Sequence, residues 1–171
     1  MQPESAIINR IASDLGMLPS HVRLIMQSAP FRYKVFHIPK KSGGQREVAQ
    51  PAREVKTIQH WLISFLEAEL PIHEAAMAYR AGRSIRTNAS AHQSSNYFLK
   101  LDFKNFFPSI SKGDIEAHLA RHCGKSTTPI DREHIAQACS WIPARGQSAR
   151  MCIGAPTSPM LSNSIMHQFD S

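Results

Sequence analysis

The sequence predicts an α+β fold in which helices predominate and a basic β-hairpin supplies the clearest β-structure. Three observations lead to this prediction. The chain has 171 residues, of which 42% are hydrophobic and 19% charged, as in a globular domain. Residues 54–70 place apolar side chains at helical spacing and Pro71 follows as a stop, whereas residues 33–38 alternate as a strand does. Most other segments have helical spacing, so we expect helices to outnumber strands.

The first half of the chain combines two short helices with the hairpin and the longest helix. Gly16 is a stop signal for the first helix, and Ser20 is a candidate cap for the second. Residues 39–44 between the two strands are turn-forming and carry two lysines, which makes the hairpin tip basic. In chain order the predicted elements are helix 6–15, a short helix between Ser20 and Pro30, strands 33–38 and 46–50, and helix 54–70.

The second half contains further helices and one predicted strand. Ser84 is a candidate cap for a helix through Asn88 and His92. Residues 97–102 have the apolar character of a buried strand and end in an acid. The rigid turn 154–159 leads into the last helix. In chain order the predicted elements are the helix after Ser84, strand 97–102, helices 111–122 and 131–141, and a helix from about residue 160 to the end.

The net charge of +7 is concentrated in one part of the chain. Eight basic and two acidic residues between positions 23 and 56 give that window a charge of +6. Such a cluster suits a polyanionic partner, because each neutralised phosphate releases condensed counterions. A solvated basic face without a partner is the alternative that the charge pattern leaves open.

The sequence disfavours several other classes of protein. It has no run of about 18 apolar residues, the length that a membrane-spanning helix needs. The N-terminus carries Glu4, Asn9 and Arg10 where a signal peptide needs an apolar core, so we expect a cytoplasmic protein without a membrane partner. The three cysteines are odd in number and form no Cys-x-x-Cys pair, so no disulfide framework is expected.

Two places in the sequence are candidate metal sites. Asp102 would stand at the end of the predicted buried strand, where a carboxylate can hold a divalent cation against phosphate oxygens. The alternative is that Asp102 forms a turn or caps a helix. His118 and His122 are four residues apart and Cys123 follows them, a spacing compatible with zinc, but no separate ligand pair accompanies them. A solvated helix face is the favoured interpretation there.

Five segments, in order along the chain, resemble the bacterial retron-type reverse transcriptases. Each is similar to a different block of that family. The blocks are the fingers hairpin at 33–46, the helix after it at 56–62, the Asn-Ala-x-x-His pattern at 88–92, the palm motif with the first catalytic aspartate at 101–110, and the next polymerase motif at 154–163. Five blocks in order are a specific pattern, and they favour the catalytic interpretation of Asp102.

The resemblance implies part of a right-hand polymerase, made of fingers and the first portion of the palm. Residues 1–30 would form N-terminal helices, 31–96 the fingers with the basic hairpin, and 97–171 the first part of the palm with a partial antiparallel sheet. The implied activity is RNA-directed DNA synthesis, in which dNTPs extend a primer on a structured RNA template. Implied partners are that RNA, its DNA product, and an effector protein in antiviral defence.

The resemblance also implies residues of the catalytic site. Asp102 would bind both Mg²⁺ ions of a two-metal nucleotidyl transfer, and the main-chain carbonyl of Phe103 would help to hold one of them. Lys40 and Arg46 would bind the phosphates of the incoming dNTP, for which a basic hairpin tip is suited. Phe107 would lie under the sugar and exclude a ribose 2′-hydroxyl.

Further positions are implied to line the nucleotide or to contact RNA. Gly154 and Pro156 would shape the wall beside the base pair. Many relatives have Gln where this chain has Ile153, which removes a polar contact near the sugar. The residues implied to contact the structured RNA are Lys41, Asn88 and His92. A helix cap and a packed histidine are the structural alternatives for the last two.

One feature of the family is missing from the sequence. A Tyr-x-Asp-Asp turn supplies the remaining metal carboxylates in these polymerases, but no two acidic residues are adjacent here. Since one carboxylate cannot hold two Mg²⁺ ions against their mutual repulsion, we expect these residues alone to be inactive and to leave an unpaired sheet edge. They would be a truncated piece, half of a split enzyme or, as the alternative function, a non-catalytic polymerase remnant that binds RNA or docks a partner.

Overall fold

The computed structural model describes residues 5–41 and 43–171, and in this part of the chain nine α-helices accompany one two-stranded antiparallel sheet. Residues 1–4, and Ser42 of the predicted turn, lie outside the described residues. The elements are α1 (Ala6–Leu15), α2 (Pro19–Ser28), β1 (Tyr33–Pro39), β2 (Gln45–Pro51), α3 (Arg53–Glu67), α4 (Ile85–His92), α5 (Phe106–Ser109), α6 (Lys112–His122), α7 (Pro129–Ala138), α8 (Thr157–Ile165) and α9 (His167–Asp170). The coarse prediction, a helix-rich fold with one hairpin, is confirmed.

One hydrophobic core joins helices from both halves of the chain. The predicted helix 6–15 is confirmed as α1, and Gly16 ends it with a φ of 63°, a conformation that glycine adopts without strain. The apolar stripe of α3 packs against α2, α7 and α8. Fully buried members of the core include Ile8, Ile11, Ile25, Leu62, Leu66, Leu119, Ile135 and Leu161. None of the helices in the described part of the chain has both the length and the apolar character needed to span a bilayer.

The predicted hairpin is confirmed. β1 and β2 pair antiparallel, with Tyr33 opposite Pro51 at the base and Pro39 opposite Gln45 near the tip. At the base Ala49 is buried, whereas every residue of β1 beyond Tyr33 is exposed. The hairpin is therefore fixed to the body of the protein at its base and projects into solvent at its tip.

The predicted strand at 97–102 is wrong. These residues form no regular element, and their side chains are exposed on both sides of the segment, with Tyr97 at 93% and Phe98 at 72% of full exposure. A strand needs a neighbour to satisfy its main-chain N–H and C=O groups. Among the described residues β1 and β2 pair with each other, so no strand lies beside 97–102. The predicted partial palm sheet is thus not formed by the described residues, and Asp102 does not follow a buried strand.

Local capping moves some helix boundaries away from the predicted ones. α2 begins at Pro19 rather than near Ser20, because proline without its N–H is well suited to the first helical position. α8 begins at Thr157 rather than at about residue 160, and α9 follows it as a separate short helix. The predicted cap at Ser84 is confirmed, since its hydroxyl accepts a hydrogen bond from the Thr87 N–H at 3.1 Å.

α7 spans Pro129–Ala138 instead of the predicted 131–141. Its start is set by a capping box, in which the Thr128 hydroxyl accepts from the Asp131 N–H while the Asp131 carboxylate accepts from the Thr128 N–H. α6 begins within one residue of its predicted start, because Ser111 and Asp114 form the same arrangement. Reciprocal capping therefore determines where α6 and α7 begin.

Candidate active site

The hairpin tip presents unpaired basic side chains. Lys40 and Lys41 lie at the turn and Arg46 lies on β2, all three exposed. The turn is closed by main-chain hydrogen bonds from the Lys40 N–H to the Gly44 carbonyl at 3.0 Å and from the Gly43 N–H to the Lys40 carbonyl at 3.1 Å. None of these three cations takes part in an ion pair between described residues. The tip can therefore offer its charges to a polyanion without first breaking an internal contact.

Asp102 lies on the exposed segment before α5. Asn105, the residue before α5, has a left-handed φ of 53°, a conformation that asparagine tolerates better than most residues. The centroid of the Phe103 ring lies 5.7 Å from that of Phe106, and the Phe169 ring of α9 packs edge-on against Phe103 with centroids 5.3 Å apart. Asp102 is thus next to an aromatic cluster, but its carboxylate has no hydrogen-bond partner among the described residues.

Phe107 connects this segment to the core. It lies in α5, is half-buried and packs against the main hydrophobic cluster. Its carbonyl accepts the Ile110 N–H at 3.1 Å, and the Ile110 carbonyl accepts the Met151 N–H at 2.9 Å. The residue predicted to support the sugar is therefore linked, through two main-chain hydrogen bonds, to the loop that carries Gly154.

The loop that carries Gly154 lies against the hairpin base. The Ala49 N–H donates to the Ile153 carbonyl at 2.8 Å, and the Cys152 thiol donates to the Ala49 carbonyl at 3.4 Å. Burial raises the pKa of Cys152 to about 12, so the thiol keeps its proton at neutral pH. Gly154 follows with a φ of 116°, and Pro156 is the N-cap residue of α8.

A buried polar contact fixes the first residue of the hairpin. The Gln59 side-chain amide donates to the Tyr33 hydroxyl at 2.9 Å and to the Ala138 carbonyl at 2.8 Å, which joins β1 to α3 and to the end of α7. Tyr33 also packs against Trp141, with ring centroids 6.4 Å apart. Burial raises the pKa of Tyr33, so its hydroxyl remains protonated.

Asn88 and His92 lie on α4, whose residues are all at least partly exposed. Asn88 is in the middle of the helix, so it is not a helix cap. The His92 side chain is exposed and contacts the Phe98 ring edge-on at 6.4 Å, so it is not a packed core histidine. Both structural alternatives for these residues are therefore wrong, and both side chains are accessible to a ligand.

The second candidate metal site, in α6 and the residue after it, does not assemble. The His118 and His122 rings are 4.6 Å apart, but His118 Nε2 is 2.7 Å from the Ser164 hydroxyl, a contact with α8. Burial and then the nearby Glu69 raise the pKa of Cys123 to about 11, which disfavours the thiolate that zinc needs. Within residues 5–41 and 43–171, no group of three or more His, Cys, Asp or Glu side chains could hold a metal ion.

The oxygen donors near Asp102 suit a hard divalent cation only in part. One exposed carboxylate leaves room for the water and phosphate ligands that Mg²⁺ prefers, and the Phe103 carbonyl is adjacent in the chain. Two ions held close together need more carboxylate oxygens, and the described residues contain no group of three or more His, Cys, Asp or Glu side chains that could supply them. The Asp102 carboxylate and the Phe103 carbonyl are therefore suited to binding one ion as part of a larger ligand set, and the described residues do not form a two-ion centre.

Main-chain hydrogen bonds bring together part of the predicted site. The hairpin base, the 152–155 loop and α5 are connected, so main-chain hydrogen bonds link the segments of Phe107 and Gly154 to the hairpin base. No hydrogen bond or ion pair of the described residues joins Asp102 to Lys40 or to Arg46. The sequence predictions missed the contact between Ala49 and Ile153, because it joins residues more than a hundred positions apart and involves only main-chain atoms.

Comparison with known proteins gives a consistent result. The family described as reverse transcriptase (RNA-dependent DNA polymerase) matches residues 38–171. The chain is 39% identical over 150 residues to retron Ec83 reverse transcriptase of Escherichia coli, covering 86% of this chain and 48% of the relative. It is 36% identical over 168 residues to retron Ec73 reverse transcriptase of the same species, covering 96% and 52%. It is 33% identical over 147 residues to retron Mx162 reverse transcriptase of Myxococcus xanthus, covering 81% and 30%. The chain spans about half the length of the first two relatives.

Proposed function

Since this chain belongs to the reverse transcriptase family and resembles its retron members, we propose that it acts in RNA-directed DNA synthesis, extending a primer with dNTPs on a structured RNA template. The observation that carries the proposal is the attachment of the basic hairpin to the loop of Gly154, through the 2.8 Å bond between Ala49 and Ile153. This attachment supports the proposal because it joins the base of the hairpin that carries Lys40 and Arg46 to the loop that carries Gly154.

In this proposal the hairpin tip binds the triphosphate. The primer hydroxyl attacks the α-phosphorus, and pyrophosphate leaves with additional negative charge on its oxygens. Lys40 and Arg46 would neutralise that charge, Arg46 with its planar fork and Lys40 as a point charge. Both side chains are exposed and free of ion pairs within the described residues, which supports this role.

Phe107, Gly154 and Pro156 would position the sugar and base of the incoming nucleotide. A half-buried phenylalanine that packs against the core cannot easily move aside, so it would exclude the 2′-hydroxyl of a ribonucleotide by steric conflict. Gly154 and Pro156 lie at the start of α8, where the main chain is held by contacts with β2. Positioning of this kind lowers the barrier, because the reacting groups are already close.

Asp102 and the carbonyl of Phe103 would hold a divalent cation, Mg²⁺ by its preference for oxygen ligands. The reverse transcriptase family depends on divalent metal, which supplies activation of the primer hydroxyl and stabilisation of the leaving group. The two-ion form of the site requires several carboxylates, and the described residues contain no group of three or more potential ligands. The role of Asp102 is therefore that of one ligand in a larger set.

Lys41, Asn88 and His92 would contact the RNA. All three side chains are exposed, and His92 lies beside Phe98, so this region combines hydrogen-bonding groups with an accessible aromatic ring. The division at residues 30 and 96 into N-terminal helices, fingers and palm, the effector protein and the role in antiviral defence stay predictions from the family resemblance.

The proposal is tested by primer extension on an RNA template in Mg²⁺, with the protein expressed from its native locus and two matched variants of it. We expect Asp102→Asn to lower the extension rate by about 100-fold or more, because the amide is a poor ligand for a hard cation, while RNA binding is retained. Asp114→Asn, an acid that caps α6, is the control and should keep the wild-type rate. Extension by the Asp102→Asn variant at the wild-type rate would contradict the catalytic assignment.

RNA binding without catalysis is a second candidate function, favoured by one observation. The described residues contain no group of three or more potential metal ligands, whereas Lys40, Lys41 and Arg46 of the hairpin are all exposed. A protein that only binds would bind RNA with the same dependence on the hairpin cations but would incorporate no dNTP under any metal condition. The extension assay therefore separates the two functions.

A further inference from the structure

The main-chain N–H and C=O groups of Ala49 in β2 form hydrogen bonds on the edge of the strand that faces away from β1. Its N–H donates to the Ile153 carbonyl at 2.8 Å, and its carbonyl accepts from the Cys152 thiol at 3.4 Å. Both main-chain groups of Ala49 are thus used by the 152–155 loop, which lies against the outer edge of β2 at this residue. Because the hairpin tip is exposed on both faces, this edge contact is a major restraint on where the tip lies.

Gly154 makes the approach of the loop to β2 possible. A Cβ atom at this position would lie 2.7 Å from the Ala49 carbonyl oxygen and 2.9 Å from Val48 Cγ1. The first of these atoms belongs to the main chain, so it cannot move away by a side-chain rotation. Any side chain at position 154 would therefore push the loop and β2 apart or break the bond between Ala49 and Ile153.

Gly146 offers a close comparison within the same chain. It also has a positive φ, 83°, so an alanine there carries the same type of backbone strain as at Gly154. A Cβ at Gly146 would meet no atom within 4 Å, in contrast to Gly154. Gly146→Ala is therefore a control for a positive φ, and a larger effect of Gly154→Ala reports the contact with β2 together with the strain of its larger φ.

The other end of the loop is anchored to the core. Arg150 exchanges main-chain hydrogen bonds with Trp141, at 2.8 and 3.0 Å, and Met151 donates to the Ile110 carbonyl. Met151 is fully buried in the main hydrophobic cluster. The residues that hold Ala49 therefore belong to a fixed part of the molecule, and the position of the hairpin is set relative to α5 and α8.

We propose that Gly154 is a positioning residue that acts through the hairpin. Because Gly154 has no side chain, the 152–155 loop can approach β2 and hold it. The loop thereby fixes the basic tip at the distance from the nucleotide wall, formed by Gly154 and Pro156, that triphosphate binding requires. This inference rests on the proposed function for its consequence in catalysis. Its structural part, the fixing of β2 by the loop, is independent of that function. Gly154 would thus determine nucleotide affinity even where it makes no contact with the nucleotide.

The structural part is tested by amide hydrogen exchange of the full chain. In the wild type we expect the Ala49 amide to be protected, although it faces away from β1. In Gly154→Ala its exchange should be at least about 10-fold faster, and in Gly146→Ala it should match the wild type. Equal exchange in the two variants would overturn the proposal. If Gly154→Ala does not fold, the wild-type measurement still decides, since exchange at the rate of an unstructured amide overturns it.

The catalytic part is tested by a double-mutant cycle on dNTP affinity. We expect Gly154→Ala to raise the KM for dNTP roughly 10-fold with a smaller change in kcat, while Gly146→Ala leaves both unchanged. In the Gly154→Ala background, Lys40→Ala should add little, because the tip is already displaced. Full additivity of the two changes would mean that Gly154 acts on the nucleotide directly and would overturn the positioning role. Absence of extension by the wild-type protein expressed from its native locus would contradict the proposed function, and the exchange experiment would still test the contact between the 152–155 loop and β2.

Discussion

The Ser5 hydroxyl donates a 2.6 Å hydrogen bond to Oδ1 of Asp131, which lies 126 residues further along the chain. The same oxygen accepts the Ile7 N–H at 3.0 Å, and the other carboxylate oxygen accepts the N–H and hydroxyl of Thr128. One buried carboxylate thus satisfies the beginnings of both α1 and α7. Burial alone would raise the pKa of Asp131, but these hydrogen bonds outweigh it and hold the pKa below its usual value.

We predict that Asp131→Asn destabilises the protein by about 2 kcal/mol, because an amide nitrogen cannot accept the hydrogen bonds that the second carboxylate oxygen accepts. Asp114→Asn is the matched control. Asp114 uses only Oδ2 in its capping box, so the remaining amide oxygen of asparagine can replace it, and the loss should stay below about 0.5 kcal/mol. Urea denaturation followed by circular dichroism measures both. Equal losses would contradict the account of Asp131.

The depressed pKa of Asp131 also predicts a dependence of stability on pH. The carboxyl is charged in the folded protein at pH values where it is already partly protonated in the unfolded chain. Its contribution is therefore complete above its ordinary pKa of 3.8 and is lost as the pH falls through the lower folded pKa. Acid unfolding of Asp131→Asn should lack this part of the transition. If the variant and the wild type unfold over the same acidic pH range, the charge of Asp131 does not stabilise the fold.

His118 is predicted to weaken the fold at mildly acidic pH. Burial, and then the positive charges of His122, Arg121 and His167, lower its pKa to about 4, and its Nε2 is 2.7 Å from the Ser164 hydroxyl. The unfolded chain binds a proton here near pH 6.5 and the folded chain does not, so stability should fall as the pH drops from 6.5 toward 4.

Melting temperatures recorded across that pH range test the role of His118. The slope should be smaller for His118→Gln, which cannot titrate, than for the wild type. His60→Gln, at an exposed position of α3, is the control and should follow the wild-type slope. If His118→Gln and the wild type lose stability in parallel, the titration of His118 is not responsible.

The hairpin cations are predicted to govern nucleotide affinity. Combined Lys40→Ala and Arg46→Ala should raise the KM for dNTP by about 10-fold or more, because each removed group takes away a charge-assisted hydrogen bond to phosphate. Lys125→Ala, which removes one exposed charge from the loop between α6 and α7, is the control. Steady-state extension kinetics measure the effect, and an unchanged KM in the double variant would remove the role in triphosphate binding.

RNA binding is predicted to weaken linearly with salt on a log–log plot, because bound cations are released from RNA when Lys and Arg replace them. Lys40→Ala together with Lys41→Ala should reduce the magnitude of the slope by roughly 2. Filter binding at several salt concentrations gives the slope directly. Binding that does not change with salt would show that the charge of the window 23–56 is not what holds RNA.

The sequence predicted those parts of the fold that depend on neighbouring residues. Apolar spacing identifies α1 and α3, alternation with a basic turn identifies the hairpin, and the hydroxyl of Ser84 marks the start of α4. The segment 97–102 shows the limit of such patterns. It has the composition of a strand, but a strand forms only beside a partner, and local composition contains no information about that partner.

The candidate site likewise contains some features that the sequence predicts and others that it does not. Lys40, Arg46 and Asp102 could be identified from family motifs, because each motif is short and continuous in the chain. The junction of Ala49 with Ile153 and the steric need for Gly154 could not, since they depend on how two distant segments pack. The structure therefore adds the connection between the motifs rather than the motifs themselves.

The most direct test of the central claim is Mg²⁺-dependent dNTP incorporation on an RNA template by the protein purified from its native source, with its intact mass recorded in the same preparation. We predict RNA-templated incorporation of deoxynucleotides, with strong discrimination against ribonucleotides because of Phe107. Absence of incorporation from a preparation that binds RNA would contradict the proposed polymerase function, and RNA binding alone would then be the function that these residues support.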